Sequence, residues 1–216
     1  MRKTQFSLVL VSVALLGVSC GQKEQASVFN EPQQGDETMA QEPEAQTSAA
    51  ENQIVTLKTS MGDVVVELFT NQAPITAGNF LKLSREDFYD GVLFHRVIPD
   101  FMIQGGDPLS KDEDPANDGT GGPGYFIEDE FVPGLSNVRG TLSMANAGPG
   151  SAGSQFFINI ADNTFLDYDK EPLSSKHAVF GRVTSGMDVV DAISLVGRDP
   201  RDRPNEPVAI EDIVVQ

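Results

Sequence analysis

Hydrophobic and polar residues alternate in two adjacent runs near residue 60. Residues 54–59 read Ile-Val-Thr-Leu-Lys-Thr, residues 64–69 read Val-Val-Val-Glu-Leu-Phe, and Ser-Met-Gly-Asp lies between them. A period of two, interrupted by a turn that contains glycine, is typical of a β-hairpin. We therefore predict two paired strands at this point of the chain.

Six further short apolar runs follow, and two other segments have helical spacing instead. One begins at Pro74, with Ile75, Phe80, Leu81 and Leu83 expected on a buried face, and the other covers residues 187–196. About eight strands with two short helices favour a mainly β fold. We predict a closed eight-stranded antiparallel barrel, because closure removes exposed sheet edges. The six runs lie at residues 92–98, 101–104, 141–145, 155–160, 178–183 and 208–215.

The first twenty residues have a different pattern. Arg2 and Lys3 precede an almost unbroken apolar stretch at residues 6–18, and the single cysteine, Cys20, follows it. The stretch is too short for a typical transmembrane helix, and its basic start indicates a signal peptide at residues 1–19. It resembles the signal of bacterial lipoproteins, which implies cleavage before Cys20 and lipid attachment to that residue.

The lipoprotein resemblance is imperfect at one position. Gly17 stands where such signals usually have leucine, so an ordinary secretory signal with an incidental cysteine is the alternative. A lipid on Cys20 implies a partner membrane and a location in the bacterial cell envelope, with the folded domain outside the cytoplasm. Gly21 replaces the aspartate that often retains lipoproteins at the inner membrane, which favours the outer membrane.

Residues 20–52 lack the apolar content of a folded segment. From residue 21 to residue 52 there are seven acidic residues, one lysine and few large apolar side chains. Such a composition cannot bury enough surface to offset the entropy of ordering. We predict a disordered acidic tether with an average span of about 30 Å, followed by one folded domain at residues 53–216.

Charge and composition exclude several classes of protein. The chain of 216 residues has a net charge of -17, two histidines, one cysteine and no tryptophan. Nucleic-acid binding needs a basic surface, which is absent, and the few histidines and the single cysteine argue against a metal site. We therefore expect no nucleic-acid partner, no metal and no cofactor. The acidic surface also favours a monomer.

Glycines concentrate in one part of the predicted domain. Eleven of the twenty glycines lie between residues 105 and 153, and loops with such conformational demands often build sites. Gly-Thr-Gly-Gly-Pro-Gly at residues 119–124 does not open a helix, which argues against dinucleotide binding. Ser151 and Ser154 lack the sequence frame of a hydrolase nucleophile.

Five sequence blocks together resemble the cyclophilin family of peptidyl-prolyl cis-trans isomerases. They occur in the order and with the approximate spacing of that family, and the resemblance covers residues 54–215. It implies an eight-stranded antiparallel barrel with two helices, in agreement with the hydrophobic pattern. The blocks are Phe-His-Arg-Val-Ile-Pro-Asp-Phe-Met-Ile-Gln-Gly-Gly-Asp at 94–107, Gly-Thr-Gly-Gly at 119–122, Leu-Ser-Met-Ala-Asn-Ala-Gly-Pro at 142–149, Gly-Ser-Gln-Phe-Phe-Ile at 153–158 and His-Ala-Val-Phe-Gly at 177–181.

Isomerisation of an X-Pro bond needs neither a nucleophile nor a proton transfer. Rotation disrupts amide resonance across a barrier of about 18 to 20 kcal/mol, and the twisted prolyl nitrogen regains a lone pair. A fixed hydrogen-bond donor at that nitrogen lowers the barrier by differential binding. The resemblance implies this role for Arg96, whereas an isolated arginine beside a strand is more often part of a surface ion pair.

The resemblance also implies the residues that bind a proline-containing peptide. Gln104 would bond the substrate backbone and Asn146 would pair with the residue before proline. Ala145, Ala147 and Gln155 would form a groove beside them. Without the sequence context, the apolar residues of the set would be assigned to the core. The apolar pocket for the proline ring would comprise Phe101, Met102, Phe157 and Leu166, with Phe165 beside it and His177 at its rim.

Two features depart from the family pattern. Phe165 stands where many members have a tryptophan that donates a hydrogen bond to the family's cyclic-peptide drug ligand, so weak binding of that drug class is expected. The stretch at residues 167–176 is longer than the usual link and either reshapes the pocket rim or forms a surface insertion.

Three functions remain compatible with the sequence. The first is an envelope isomerase that acts on X-Pro bonds in exported proteins. The second is a peptide-binding chaperone with little catalysis, and the third is a structural envelope protein. The third gives no reason for Arg96, Gln104 and Asn146 to occur together.

Overall fold

The computed structural model describes residues 52–171 and 176–216. The predicted signal peptide, Cys20 and nearly all of the predicted tether lie outside these residues, as do positions 172–175 of the long loop. Within the described residues, no helix combines the length and the apolar character needed to span a bilayer.

One antiparallel sheet organises the described part of the chain. The elements are β1 Gln53–Thr59, β2 Gly62–Leu68, α1 Pro74–Arg85, β3 Arg96–Ile98, β4 Met102–Gly105, β5 Thr141–Met144, β6 Phe156–Asn159, β7 Val179–Ser185, α2 Met187–Ser194 and β8 Ile210–Val215. The strand order in the sheet is β3-β4-β6-β5-β7-β2-β1-β8, and every ladder in it is antiparallel. This confirms the prediction of a mainly β protein with eight antiparallel strands and two helices.

The predicted hairpin is present at the start of the domain. β1 and β2 pair from Gln53 opposite Leu68 to Thr59 opposite Gly62. Thr59 Oγ1 donates a hydrogen bond of 2.6 Å to the Gly62 carbonyl and closes the turn. Gly62 has φ +132°, a conformation that favours glycine, which explains the glycine in the turn.

The hydrophobic core is centred on aromatic side chains that α1 and the loop after it bring against the sheet. The Phe80 ring lies 5.0 Å from the ring of Tyr89, 5.2 Å from that of Phe156 and 5.4 Å from that of Phe180, and all four side chains are buried. Aromatic contacts at such distances add to the stabilisation that burial provides.

The prediction that Ile75 is buried was wrong. Its side chain is 46% exposed, whereas Ala77 and Phe80 of the same helix are fully buried. Two residues of helix correspond to a rotation of about 200°, so Ile75 lies on the opposite face from Ala77. Leu195, which was included in the second predicted helix, follows the end of α2 and is exposed.

The two end strands of the sheet, β3 and β8, are not paired with each other by a ladder in the described residues. Contact between the two ends comes from the segment before β3, through an isolated bridge between Leu93 and Ala209. Phe94 N donates to the Val208 carbonyl at 2.9 Å in the same region. The sheet is thus a series of eight strands, and the continuous ladder of a fully closed barrel is not seen.

Candidate functional site

A small apolar cluster lies apart from the main core. Its buried members are Met102, Phe157 and Leu166, and Phe101 packs against them. Side chains alternate between the two faces of a strand. In β6, Phe156 and Ile158 therefore join the main core while Phe157 lies on the opposite face.

A row of side chains crosses four strands beside this cluster. Arg96 of β3 is opposite Gln104 of β4, Gln104 is opposite Phe157 of β6, and Phe157 is opposite Ser143 of β5. Directly opposed residues share one face of a sheet. The register therefore places a guanidinium, a carboxamide and an aromatic ring side by side.

These residues surround a concave surface that we call the apolar pocket. Its volume is about 230 Å³, which accommodates a pyrrolidine ring. The cluster residues form its apolar part, and polar side chains stand around them. The lining residues are Arg96, Phe101, Met102, Gln104, Ala145, Asn146, Phe157, Leu166 and His177.

The Arg96 side chain is free to bind a ligand. The residue is exposed at the start of β3, and its side chain forms no hydrogen bond or ion pair with any described residue. By contrast, Arg139 and Arg182 each form ion pairs of 2.7 Å with a carboxylate. Among the described arginines, only Arg85 shares this lack of a side-chain partner, and it lies at the end of α1, outside the apolar pocket.

A second concave surface, the groove, adjoins the apolar pocket and shares Gln104, Ala145 and Asn146 with it. It has a volume of about 430 Å³ and also includes Ala147 and Gln155. Gln155 Nε2 donates to the Gly121 carbonyl at 2.8 Å, and Gln104 Nε2 donates to Gln155 Oε1 at 3.0 Å. This chain of amides fixes the orientation of Gln104.

Asn146 has an unpaired main chain between the pocket and the groove. Its side chain is engaged, since Nδ2 donates to the Lys176 carbonyl at 2.7 Å and Oδ1 accepts from Gly148 N at 3.2 Å. Its backbone N–H and C=O have no partner among the described residues, while Ala145 N bonds to the Gln155 carbonyl at 2.9 Å. An extended peptide could pair with these two backbone groups.

His177 forms a rigid wall of the apolar pocket. Its Nδ1 lies 2.9 Å from the Met144 carbonyl, and its ring meets the Phe157 ring edge to face with centroids 5.2 Å apart. Burial lowers the pKa of the imidazole below its ordinary value, against smaller opposing effects of the Met144 hydrogen bond and the charge of Asp129. The ring is therefore neutral at physiological pH and donates from Nδ1.

A buried polar network holds Leu166 against the pocket. The Asp167 carboxylate accepts hydrogen bonds from Ser136 Oγ at 2.6 Å, from Asn137 N at 2.7 Å and from Asn137 Nδ2 at 2.9 Å. The Leu166 carbonyl in turn accepts from His177 N at 3.1 Å. Leu166 and His177, which both line the apolar pocket, are thus held by the same group of hydrogen bonds.

The structure brings together almost all of the residues proposed from the sequence. Nine of them line the apolar pocket, and Ala147 and Gln155 line the groove. Phe165 does not line either one. It is 56% exposed and stacks on Phe101, with ring centroids 6.1 Å apart and planes inclined by 16°.

Sequence reasoning missed part of the groove. The glycine-rich loops supply several of its lining residues, and Phe126 adds an exposed aromatic ring. The clustering of glycines was the available signal, but it did not say which positions would face the groove. The additional residues are Gly119, Thr120, Gly121, Gly122, Pro123, Phe126, Ser151, Gly153 and Ser154.

The arrangement suits non-covalent chemistry. It combines an apolar pocket, one unpaired cationic donor and backbone groups that can hold an extended chain. Within residues 52–171 and 176–216, no group of three or more His, Cys, Asp or Glu side chains is placed to hold a metal ion.

Known proteins share both the sequence and the fold of this domain. Residues 54–215 match the family described as "Cyclophilin type peptidyl-prolyl cis-trans isomerase/CLD". Peptidyl-prolyl cis-trans isomerase ppi1 of Schizosaccharomyces pombe is 46% identical over 157 residues, which cover 72% of this chain and 94% of that protein. Peptidyl-prolyl cis-trans isomerase B of Streptomyces anulatus is 44% identical over 186 residues, covering 77% and 98% respectively.

A solved structure also resembles this chain in both fold and sequence. The crystal structure of a cyclophilin type peptidyl-prolyl cis-trans isomerase from Cryptosporidium parvum, in the presence of the dipeptide Ala-Pro, superposes with a TM-score of 0.66 and 34% sequence identity. The match covers 76% of this chain and 99% of that chain. The chain therefore belongs to the cyclophilin family and is a peptidyl-prolyl cis-trans isomerase.

Proposed function

We propose that Arg96 accelerates X-Pro rotation by binding the twisted amide more strongly than the planar one. The proline ring occupies the apolar pocket, and the backbone around it pairs with Gln104 and the main chain of Asn146. As the bond rotates, the nitrogen loses amide resonance and becomes a hydrogen-bond acceptor. The Arg96 guanidinium donates to this nitrogen, and each tenfold gain in rate needs about 1.4 kcal/mol of differential binding.

The observation that supports this proposal most is that the Arg96 guanidinium, at the edge of the pocket, has no hydrogen-bond or ion-pair partner among the described residues. A guanidinium remains charged at all physiological pH values and keeps a rigid fork of donors. No other group in the apolar pocket offers a comparable donor, because His177 is neutral and its Nδ1 is engaged with Met144.

The test is the rate of cis-trans exchange of an X-Pro peptide, measured by NMR with and without the protein. We expect the native protein to accelerate exchange and the removal of the guanidinium to abolish most of that acceleration. Peptide binding without acceleration would favour a peptide-binding chaperone instead.

We further propose that this isomerase acts on exported proteins while anchored by a lipid on Cys20. The support comes from the basic start, the short apolar stretch and the position of the cysteine directly after it. Slow X-Pro steps of tens to hundreds of seconds can limit the folding of exported chains. Multiple acyl chains on one residue would give stable anchoring, since one chain binds only marginally.

Exchange of Cys20 for serine is expected to release the protein from membranes. In a bacterial host, the native protein should sediment with the membrane fraction and its mature N-terminal peptide should carry acyl chains by mass spectrometry. Cys20→Ser should appear in the soluble fraction with unchanged isomerase activity. An unacylated Cys20 in a soluble native protein would contradict the anchor and leave the isomerase proposal intact.

Phe165→Trp is expected to increase affinity for the cyclic-peptide drug ligand of the family. The indole N–H adds a hydrogen bond that phenylalanine cannot donate, and one such bond corresponds to a several-fold gain at about 1 kcal/mol. The exposed position of Phe165 leaves room for the larger ring. Inhibition constants of the native and variant proteins measure the effect, with X-Pro activity as the control for folding. Equal constants would refute this account.

A further inference from the structure

A third concave surface, the arginine pocket, lies beside the apolar pocket. It has a volume of about 490 Å³ and shares Arg96, Gln104 and Asn146 with the apolar pocket. Two more arginines line it, Arg201 and Arg203. In a chain with 15 basic and 32 acidic residues, three arginines around one pocket are a marked local reversal of charge.

The loop that carries these two arginines is firmly held. Arg203 Nε bonds to Asp118 Oδ2 at 2.6 Å, and the Asp199 carboxylate accepts from Arg201 N at 2.7 Å and from Arg203 N at 3.0 Å. The carbonyl of Asp202 accepts from Val97 N of β3 at 2.8 Å. These hydrogen bonds therefore fix the position of the loop, and with it Arg201 and Arg203, next to Arg96.

The carboxylates nearby do not neutralise all of this charge. Among the described residues, Asp118 is the only acidic one that lines the pocket, and it is engaged with Arg203. Arg201 is 62% exposed, and its contact with Asp199 is a long one of 3.6 Å. Asp202 pairs with Arg198, which does not line the pocket, and Glu206, the last acidic residue between α2 and β8, does not line it either. Arg96 and Arg201 thus retain donors for an anionic ligand.

The position of the pocket indicates which part of a substrate would reach it. Ala147 and Gln155 line the groove, where we place the residues that precede proline, but they do not line the arginine pocket. The arginine pocket shares Gln104, Gly119 and Asn146 with the groove, but Arg96 is common only to the arginine pocket and the apolar pocket. A chain that crosses Arg96 beyond the proline ring would enter it.

We propose that the arginine pocket binds an acidic side chain that follows the proline, so that the enzyme prefers X-Pro-Glu and X-Pro-Asp segments. The inference rests on the placement of the proline ring given under Proposed function. A carboxylate there can accept hydrogen bonds from two guanidinium groups. The planar guanidinium matches the two oxygens of a carboxylate better than the ammonium group of a lysine does. Selectivity of this kind would arise from Arg201, which belongs to none of the five family blocks.

The first test compares three peptides that differ only after the proline, with Glu, Gln or Lys at that position. We expect kcat/KM for the Glu peptide to exceed that for the Gln peptide about threefold to fivefold in low salt, as for partly exposed ion pairs, with the Lys peptide slowest. The Glu preference should shrink in 0.5 M NaCl, because salt screens exposed pairs. Equal values for the Glu and Gln peptides in low salt would overturn the proposal.

The second test removes the charge of Arg201 and compares it with a matched control. Arg201→Gln should reduce the Glu-to-Gln preference about twofold or more, and Arg201→Glu should reverse the order of the Glu and Lys peptides. Arg198→Gln makes the same change of charge in the same loop outside the pocket, and it should leave the preference unchanged. Equal effects of Arg198→Gln and Arg201→Gln would show that the preference comes from the general electrostatic field of the loop. That result would overturn the arginine pocket as a binding site.

Failure of this inference is distinguishable from failure of the proposed mechanism. The preference is a ratio between peptides on one protein, whereas the role of Arg96 is measured as the absolute rate on the neutral Gln peptide. A protein that isomerises the Gln peptide rapidly but shows no preference for Glu would refute only the arginine pocket.

Discussion

Arg96→Ala is expected to lower kcat/KM for an X-Pro peptide by two to three orders of magnitude while leaving the fold intact. Removing one preorganised donor that acts on developing charge typically costs about 10² to 10³ in rate. The Arg96 side chain has no hydrogen-bond or ion-pair partner among the described residues and is exposed, so its truncation leaves no buried group unsatisfied. The loss should therefore be catalytic, with a melting temperature within about 2 °C of the native value.

Two companion variants separate this effect from a loss of surface charge. Arg85→Ala removes another exposed arginine, at the end of α1, and should leave the exchange rate unchanged. Arg96→Lys keeps the charge but lacks the planar fork, so an intermediate rate is expected. NMR exchange rates at saturating peptide would show the loss in kcat. Full activity in Arg96→Ala would remove the arginine from the mechanism.

The strands and helices could be predicted because their patterns are local. A period of two marks β1 and β2, and a proline at the first turn marks α1, so these elements follow from neighbouring residues. Ile75 shows where local reasoning fails, since a helix buries the stripe that faces the sheet and not every apolar residue. The contact between the sheet ends, at Leu93 and Ala209, depends on residues more than a hundred positions apart.

Some residues of the site could likewise be predicted from the sequence, and others could not. The resemblance identified the residues of the apolar pocket, and the alternation of β4 and β6 explains why Met102 and Phe157 leave the main core. The arginine pocket had no sequence signal, because Arg203 meets Asp118 across 85 residues of the chain. In the sequence, Arg203 and Asp118 each lie in an ordinary polar loop, and only the fold brings the two loops together.

Asp107→Ala is expected to cause the largest loss of stability, about 3 to 4 kcal/mol in the free energy of unfolding. The side chain is fully buried, and its carboxylate accepts hydrogen bonds from the backbone N–H groups of Leu109 at 2.8 Å, Gly121 at 3.2 Å and Gly119. Truncation leaves three partly buried backbone donors without their charged acceptor, and a hydrogen bond to a charged group contributes about 1.5 to 3 kcal/mol. Chemical denaturation measures the effect.

The variant should also lose activity under conditions where it remains folded. Asp107 positions Gly121, whose carbonyl binds Gln155, and Gln155 in turn orients Gln104 in the site. A looser glycine loop therefore disorders a group that, in the proposed mechanism, holds the substrate backbone, and KM should rise more than kcat falls. Asp112→Ala is the matched control, because the carboxylate of this exposed residue accepts only from Asp114 N and Asn117 Nδ2 among the described residues. It should cost less than about 1 kcal/mol and leave KM unchanged. If both variants lost equal stability, the anchor of the glycine loop would have to lie elsewhere than at Asp107.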